Sequence, residues 1–270
     1  MSDLVLLHGW GTHSGVWKQS LEQLPAAKAE SAIALDFTGY GSRVNQEFPS
    51  DLYKLAENML EKAPQEAIWA GWSTGGMVAM QAALIAPERV KGLLLVCSTP
   101  KFVADNEWGF GTQIDSFATF AESLDKDYER NLRRFLLLQA GDTKRARALS
   151  EPIQQIIDSA PQPSKENLSA GLELLRRADL RADLRADLGF DSGFESARLK
   201  IPVRILSGSM DRICHPQASR WMAEEMRASL TEIRCGHGPL LSHAAEVAEE
   251  LEKLIAEVEE GIKREVASEC

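Results

Sequence analysis

The feature that most constrains this chain is a rhythm. Short runs of Val, Ile, Leu and Ala recur at Leu4–Leu7, Ala32–Leu35, Ala67–Ala70, Leu93–Val96, Val203–Leu206 and Leu230–Ile233. Runs of this length and composition read as strands buried on both faces, the mark of a parallel sheet. Between them, Leu52–Lys62, Met77–Ala86, Ser219–Met226 and Val247–Ile262 repeat apolar residues at spacings of three and four, as crossover helices do. The expected fold class is α/β, with a mostly parallel central sheet flanked by helices.

The rhythm breaks once. From about Pro100 to Lys200 the pattern is helical only, with Phe117, Phe120, Leu124, Tyr128, Leu132 and Phe135 forming one apolar stripe. So long an interruption of a regular alternation predicts a lid or binding segment. The expected division is a core of 1–99 and 201–270 with a helical cap of 100–200. Within the cap, Arg-Ala-Asp-Leu occurs three times from Arg177 to Leu188, placing Leu180, Leu184 and Leu188 at helical spacing. That predicts an extended amphipathic helix with Arg and Asp on its wet side.

Composition narrows the function classes. With 270 residues and 44% hydrophobic content, the chain can bury one large core plus a lid. A net charge of −10 disfavours nucleic acid or an anionic membrane as the main partner, because both need attraction to phosphate. Cys97, Cys214, Cys235 and Cys270 show no paired spacing and read as free thiols of a reducing compartment. No signal peptide or membrane-length apolar run is evident, so a cytoplasmic location is expected; the chain is also expected to be a monomer.

The chemistry is announced by Gly71-Trp72-Ser73-Thr74-Gly75-Gly76, a G-x-S-x-G string between the third apolar run and a helical pattern. A serine nucleophile projects from a sharp strand-to-helix turn, and glycines on both sides make room for that turn. A serine hydroxyl needs a base, and the base needs an orienting carboxylate. Asp211 follows the run Val203–Leu206, and His237 follows Leu230–Ile233, so all three groups fall at carboxyl ends of strands, where open parallel sheets bind ligands. The other histidines fit this role less well: His215 sits beside Pro216, His243 opens the last helix, and His13 follows a Gly-rich loop. His8-Gly9-Trp10-Gly11 stands where an oxyanion-hole loop belongs, so the backbone N–H groups of Trp10 and Thr74 are the expected donors, with His8 holding the loop. Metal and cofactor are expected to be absent: the histidines lack ligand spacing, and Gly39-Tyr40-Gly41 lacks the third glycine of a dinucleotide loop.

These motifs, in the chain order Ser73, Asp211, His237, resemble the α/β-hydrolase superfamily over nearly the whole sequence. Trp10 in H-G-W-G, Trp72 in G-W-S-x-G-G, the string R-R-F-L-L-L-Q within Arg130–Gln139, and G-H-G-P-L-L-S-H are similar to the pimeloyl-[acyl-carrier protein] methyl ester carboxylesterases of biotin synthesis. The resemblance implies a cap inserted between strands 6 and 7 of the usual fold and an absent N-terminal hairpin. It implies hydrolysis of a carrier-linked methyl ester to methanol and a free carboxylate. Acyl carrier protein would be the partner, held by cap arginines matching Arg130, Arg134 and Arg147; a further family arginine falls on Glu151.

The residues agree with a basic cap on an acidic protein. Seven basic and three acidic side chains lie between Lys126 and Arg147, a patch that would attract an acidic carrier. Leu132, Phe135 and Trp108, with Trp10, are the expected lining of an acyl channel. A different esterase, thioesterase or carbon–carbon bond hydrolase would use the same triad, and a ligand receptor would keep the pocket without catalysis.

Overall fold

The computed structural model describes residues 3–126, 130–131, 134–135, 151, 154–156, 158–184 and 200–269. Six strands, β1 (Asp3–Leu7), β2 (Ala32–Leu35), β3 (Ala67–Trp72), β4 (Val90–Val96), β5 (Val203–Gly208) and β6 (Ser229–Ile233), form one sheet in the order β2-β1-β3-β4-β5-β6. Every pairing is parallel, and among the described residues no antiparallel strand joins the sheet. Each apolar run seen in the sequence lies within one strand. The strands differ from the runs mainly by extending through small or polar residues such as Gly71, Ser207 and Gly208.

Alternation along each strand sends side chains to two separate cores. Val5, Leu7, Trp69, Leu93, Leu95 and Ile205 face one; Leu4, Leu6, Ile68, Ala70, Leu94 and Leu206 face the other. The first core is covered by α1 (Leu52–Leu60) and α2 (Thr74–Ile85). Asp51 caps α1 by accepting the N–H of Lys54 at 2.8 Å, satisfying one of the orphan donors of its first turn. Two inserted helices, α3 (Ile114–Lys126) and α4 (Lys165–Arg177), share that core through Phe117, Leu124, Leu172 and Leu175, as does α5 (Pro216–Met226) through Met222 and Met226. The second core is covered by α6 (Ala244–Glu269), whose Val247, Leu251, Leu254 and Val258 form its apolar side. Arg204 pins α6 to β5, donating to Glu250 at 2.7 Å and to Glu257 at 2.5 Å.

The repeat departs from the expectation of a continuing helix. Helix α4 ends at Arg177, and Ala178 is extended. The Asp179 carboxylate accepts bonds from the backbone and guanidinium of Arg181 and from Lys101, while the Leu180 N–H donates to the Pro100 carbonyl. These contacts stop the helix and tie the segment to the loop after β4; a new turn then runs from Arg181 to Leu184. Residues 185–188 lie outside the described residues.

Candidate active site

Three loops at the carboxyl ends of β3, β5 and β6 converge on one point. Ser73 caps α2 with φ 56° and ψ −119°, a conformation that costs a non-glycine residue about 1–3 kcal/mol and must be imposed by its surroundings. The Ser73 N–H donates to the Val96 carbonyl at 3.0 Å, and the Ser98 hydroxyl donates to the Ser73 carbonyl at 2.8 Å. The flanking glycines are sterically required: a Cβ on Gly71 would fall on the Gly75 backbone, and one on Gly75 on the Leu7 carbonyl. The sharp turn of the G-x-S-x-G string is thus fixed from both sides.

The Ser73 hydroxyl lies 2.9 Å from Nε2 of His237, and Nδ1 of His237 lies 2.8 Å from Oδ2 of Asp211. All three residues are buried. Because the carboxylate can only accept, Nδ1 carries the hydrogen and Nε2 turns its lone pair toward the Ser73 hydroxyl. Asp211 is itself held: its Oδ1 accepts the N–H groups of Ile213 and Cys214 at 2.8 and 3.0 Å. The carbonyl of His237 accepts the indole N–H of Trp72 at 2.7 Å, and the Cys97 thiol donates to the Gly236 carbonyl at 3.8 Å. No sequence signal pointed to this role for Cys97.

The other expected residues fall as follows. A Cβ on Gly9 would lie 3.1 Å from the Trp72 ring and 3.3 Å from Cβ of Ser73, so the Gly9 backbone passes beside Ser73. Thr74 is the first residue of α2, where helix N–H groups have no intrahelical acceptor. His8 is fully buried; its Nδ1 donates to the Gly9 carbonyl at 2.8 Å and its Nε2 accepts the Phe37 N–H at 3.1 Å. Burial lowers its pKa to about 4, so it is a neutral brace beneath the loop. His13 caps the turn Ser14–Trp17 and donates to the Ile156 carbonyl at 2.6 Å. His215 is exposed and caps α5.

Above Ser73 lies a partly enclosed cavity, lined on the sheet side by Trp10, Trp72 and His237. Phe102, Phe117, Phe120, Phe135, Leu172 and Leu175 line it from the inserted segment. Trp10 meets Phe120 and Phe135 edge-on at 5.8 and 5.4 Å between ring centres, and its indole N–H donates to the Leu168 carbonyl at 3.0 Å. Phe102, Leu172 and Leu175 were not anticipated, although Leu172 and Leu175 share one face of α4 at a spacing of three.

Trp108 is not among the lining residues, which corrects the expectation of an acyl-channel role. Its ring packs edge-on against Trp221 at 5.3 Å and lies under the Arg181 guanidinium, and its N–H donates to the Lys101 carbonyl at 3.0 Å. Reciprocal backbone bonds between Asp105 and Trp108 turn the loop and aim the ring that way. Arg130 and Arg134 are exposed on helical backbone, as is Glu151. Leu132, Arg147 and Cys270 lie outside the described residues.

One trio among the described residues has metal-ligand chemistry: donor atoms of Cys97, Asp211 and His237 lie within 4.8 Å of one another. The imidazole and carboxylate are already committed to each other and to Ser73. The Cys235 thiol beside it and burial together push the Cys97 thiol well above its ordinary pKa, which keeps it protonated and a poor ligand. Among the described residues no helix is long and apolar enough to cross a membrane.

Residues 4–250 match the model of the Alpha/beta hydrolase family. A pimeloyl-[acyl-carrier protein] methyl ester esterase of Serratia marcescens is 36% identical over 257 residues, covering 94% of each chain. One of Yersinia enterocolitica serotype O:8 is 42% identical over 179 residues, covering 66% of this chain and 68% of that protein. Among solved structures, an esterase from Exiguobacterium antarcticum superimposes with a TM-score of 0.78 at 21% identity, covering 96% of this chain and 92% of that one. An enol-lactonase from Burkholderia xenovorans LB400 gives 0.77 at 18% identity, covering 95% and 92%; these two likenesses speak to the fold.

Proposed function

This chain belongs to the Alpha/beta hydrolase family, and from that premise we propose that it is a serine carboxylesterase that cleaves the methyl ester of pimeloyl-[acyl-carrier protein] in biotin synthesis. The observation that carries the reading is the unbroken contact chain Ser73–His237–Asp211 at the floor of an apolar cavity. The naming of the full-length relatives supports the substrate.

In the proposed reaction, Ser73 Oγ attacks the ester carbonyl while Nε2 of His237 takes its proton. The charge that develops on the carbonyl oxygen faces the backbone N–H groups of Trp10 and Thr74, an interaction that can lower the barrier by about 3 kcal/mol. His237 then returns the proton to the departing methoxide, giving methanol and an acyl-serine. A water deprotonated by His237 releases the carboxylate and restores the hydroxyl. Asp211 holds the imidazole in the required tautomer and favours its charged form at each step.

Residues 100–200 act as the lid in this reading, with their aromatic face holding the acyl chain. Arg130 and Arg134, both exposed, would meet the acidic carrier; Arg147, the third arginine of the resemblance, lies outside the described residues. Ser73→Ala is expected to abolish hydrolysis of a short p-nitrophenyl ester and labelling by a fluorophosphonate; unchanged turnover would discard the assignment. Arg130→Glu combined with Arg134→Glu should slow cleavage of the carrier-linked ester while sparing the small ester, and equal loss on both would refute carrier docking there. Rescue of a biotin auxotroph lacking the methyl esterase tests the physiological substrate.

A further inference from the structure

The cavity holds one charge that the proposed reaction does not use. Among its described lining residues only Arg212 carries a permanent charge; the others are apolar, hydroxylic or the catalytic His237. Arg212 forms no hydrogen bond or ion pair among the described residues, whereas Arg181, Arg204 and Arg220 each have carboxylate partners. Its neighbour Asp211 makes no ion pair with it. One Asp211 oxygen is taken by His237 and the other by the N–H groups of Ile213 and Cys214. Those same two bonds pin the backbone that follows Arg212, so the guanidinium is presented from a fixed loop while its side chain remains exposed.

A guanidinium with open donors beside an apolar, partly enclosed space is suited to a carboxylate, which it can grip with two parallel bonds. Resting on the esterase reading above, we propose that Arg212 anchors the free carboxylate of short dicarboxylic half-esters. It thereby makes these unattached monoesters a second substrate class for the Ser73 site. The ester end would sit at Ser73, the methylenes against Phe120 and Phe135, and the distal carboxylate on Arg212. Cleavage would follow the same acyl-serine course, consuming water and yielding the alcohol and the dicarboxylate.

The test compares monomethyl with dimethyl esters of saturated dicarboxylic acids from four to nine carbons, on the full chain and on Arg212→Gln and Arg212→Lys. At the preferred length, Arg212→Gln should lower the ratio of half-ester to diester kcat/KM about tenfold, the low end for a charge-assisted bond at an exposed site. Arg212→Lys should restore part of that ratio, and the preference should weaken as salt rises. A ratio identical in all three proteins would overturn the anchor while leaving the esterase intact. If no ester is cleaved, the esterase reading fails. The anchor is then judged by the tryptophan fluorescence of Ser73→Ala titrated with the saturated dicarboxylates of four to nine carbons. Saturable binding weakened by adding Arg212→Gln supports it, and binding indifferent to that change, or none, overturns it.

Discussion

The two walls of the cavity are built on different physics. The sheet wall is a set of backbone conformations locked by hydrogen bonds: Ser73 in its strained turn, Asp211 clasped by two N–H groups, His237 held through its carbonyl by Trp72. The helical wall is a set of apolar contacts, with aromatic rings meeting edge-on and aliphatic side chains filling gaps. Hydrogen bonds are directional and short-ranged, whereas apolar burial is neither. The sheet wall is therefore expected to tolerate almost no change in chemistry, and the helical wall to tolerate many changes at graded cost.

The sharpest break in that comparison is Asp211→Asn. An amide in place of the carboxylate cannot hold the Nδ1–H tautomer, so kcat should fall about 10⁴-fold with little change in KM. Steady-state kinetics on a small ester checks this. A loss below tenfold would mean that the clasped carboxylate does not govern the base, and the sheet wall would lose its claim to intolerance.

The same contrast explains what the sequence disclosed. The turn at Gly71, Ser73 and Gly75 was legible because so sharp a strand-to-helix turn has few backbone solutions, and a Cβ at either glycine would strike main chain. Asp211 and His237 were legible because strand ends place them, independent of packing. The helical wall offered no such constraint. Phe102, Leu172 and Leu175 look like any core residues, and Trp108 has the composition of a lining residue but is turned toward Trp221 by a local pair of backbone bonds. The end of α4 was hidden too, because the periodicity of Arg-Ala-Asp-Leu is helical while the tie of Asp179 to Lys101 is tertiary. Arg212 went unread since nothing in its spacing distinguishes a surface arginine from one at a cavity.

A second prediction concerns His8, the neutral brace of the sheet wall. Its folded pKa of about 4 lies below the ordinary 6.5 because burial disfavours the charged ring. Between those values the unfolded chain binds the extra proton, so stability is fully present above about pH 6.5 and is lost as pH falls toward 4. The shift corresponds to about 3 kcal/mol across that window. Urea unfolding at intervals from pH 7 to pH 4 should show this decline in the native chain and a shallower one in His8→Gln. Parallel declines in the two proteins would remove His8 as the source of acid sensitivity.

The smallest effect probes the helical wall. Phe120 and Phe135 stack obliquely at 4.9 Å, and both rings remain partly exposed to the cavity. Replacing both by Ala removes apolar surface that an acyl chain would cover in the ground state and the transition state alike. Such uniform binding raises KM and leaves kcat nearly constant. With about 0.8 kcal/mol for each buried methylene, losing cover over two of them gives a KM about tenfold higher for a long-chain ester. An acetate ester, which does not reach the rings, should be cleaved with almost native kinetics. Because neither ring is fully buried, the melting temperature should fall less than for a core Phe→Ala change. A fall in kcat on the acetate ester would give the opposite lesson: the aromatic wall would then be positioning the reacting atoms at Ser73, and the two walls would act as one machine.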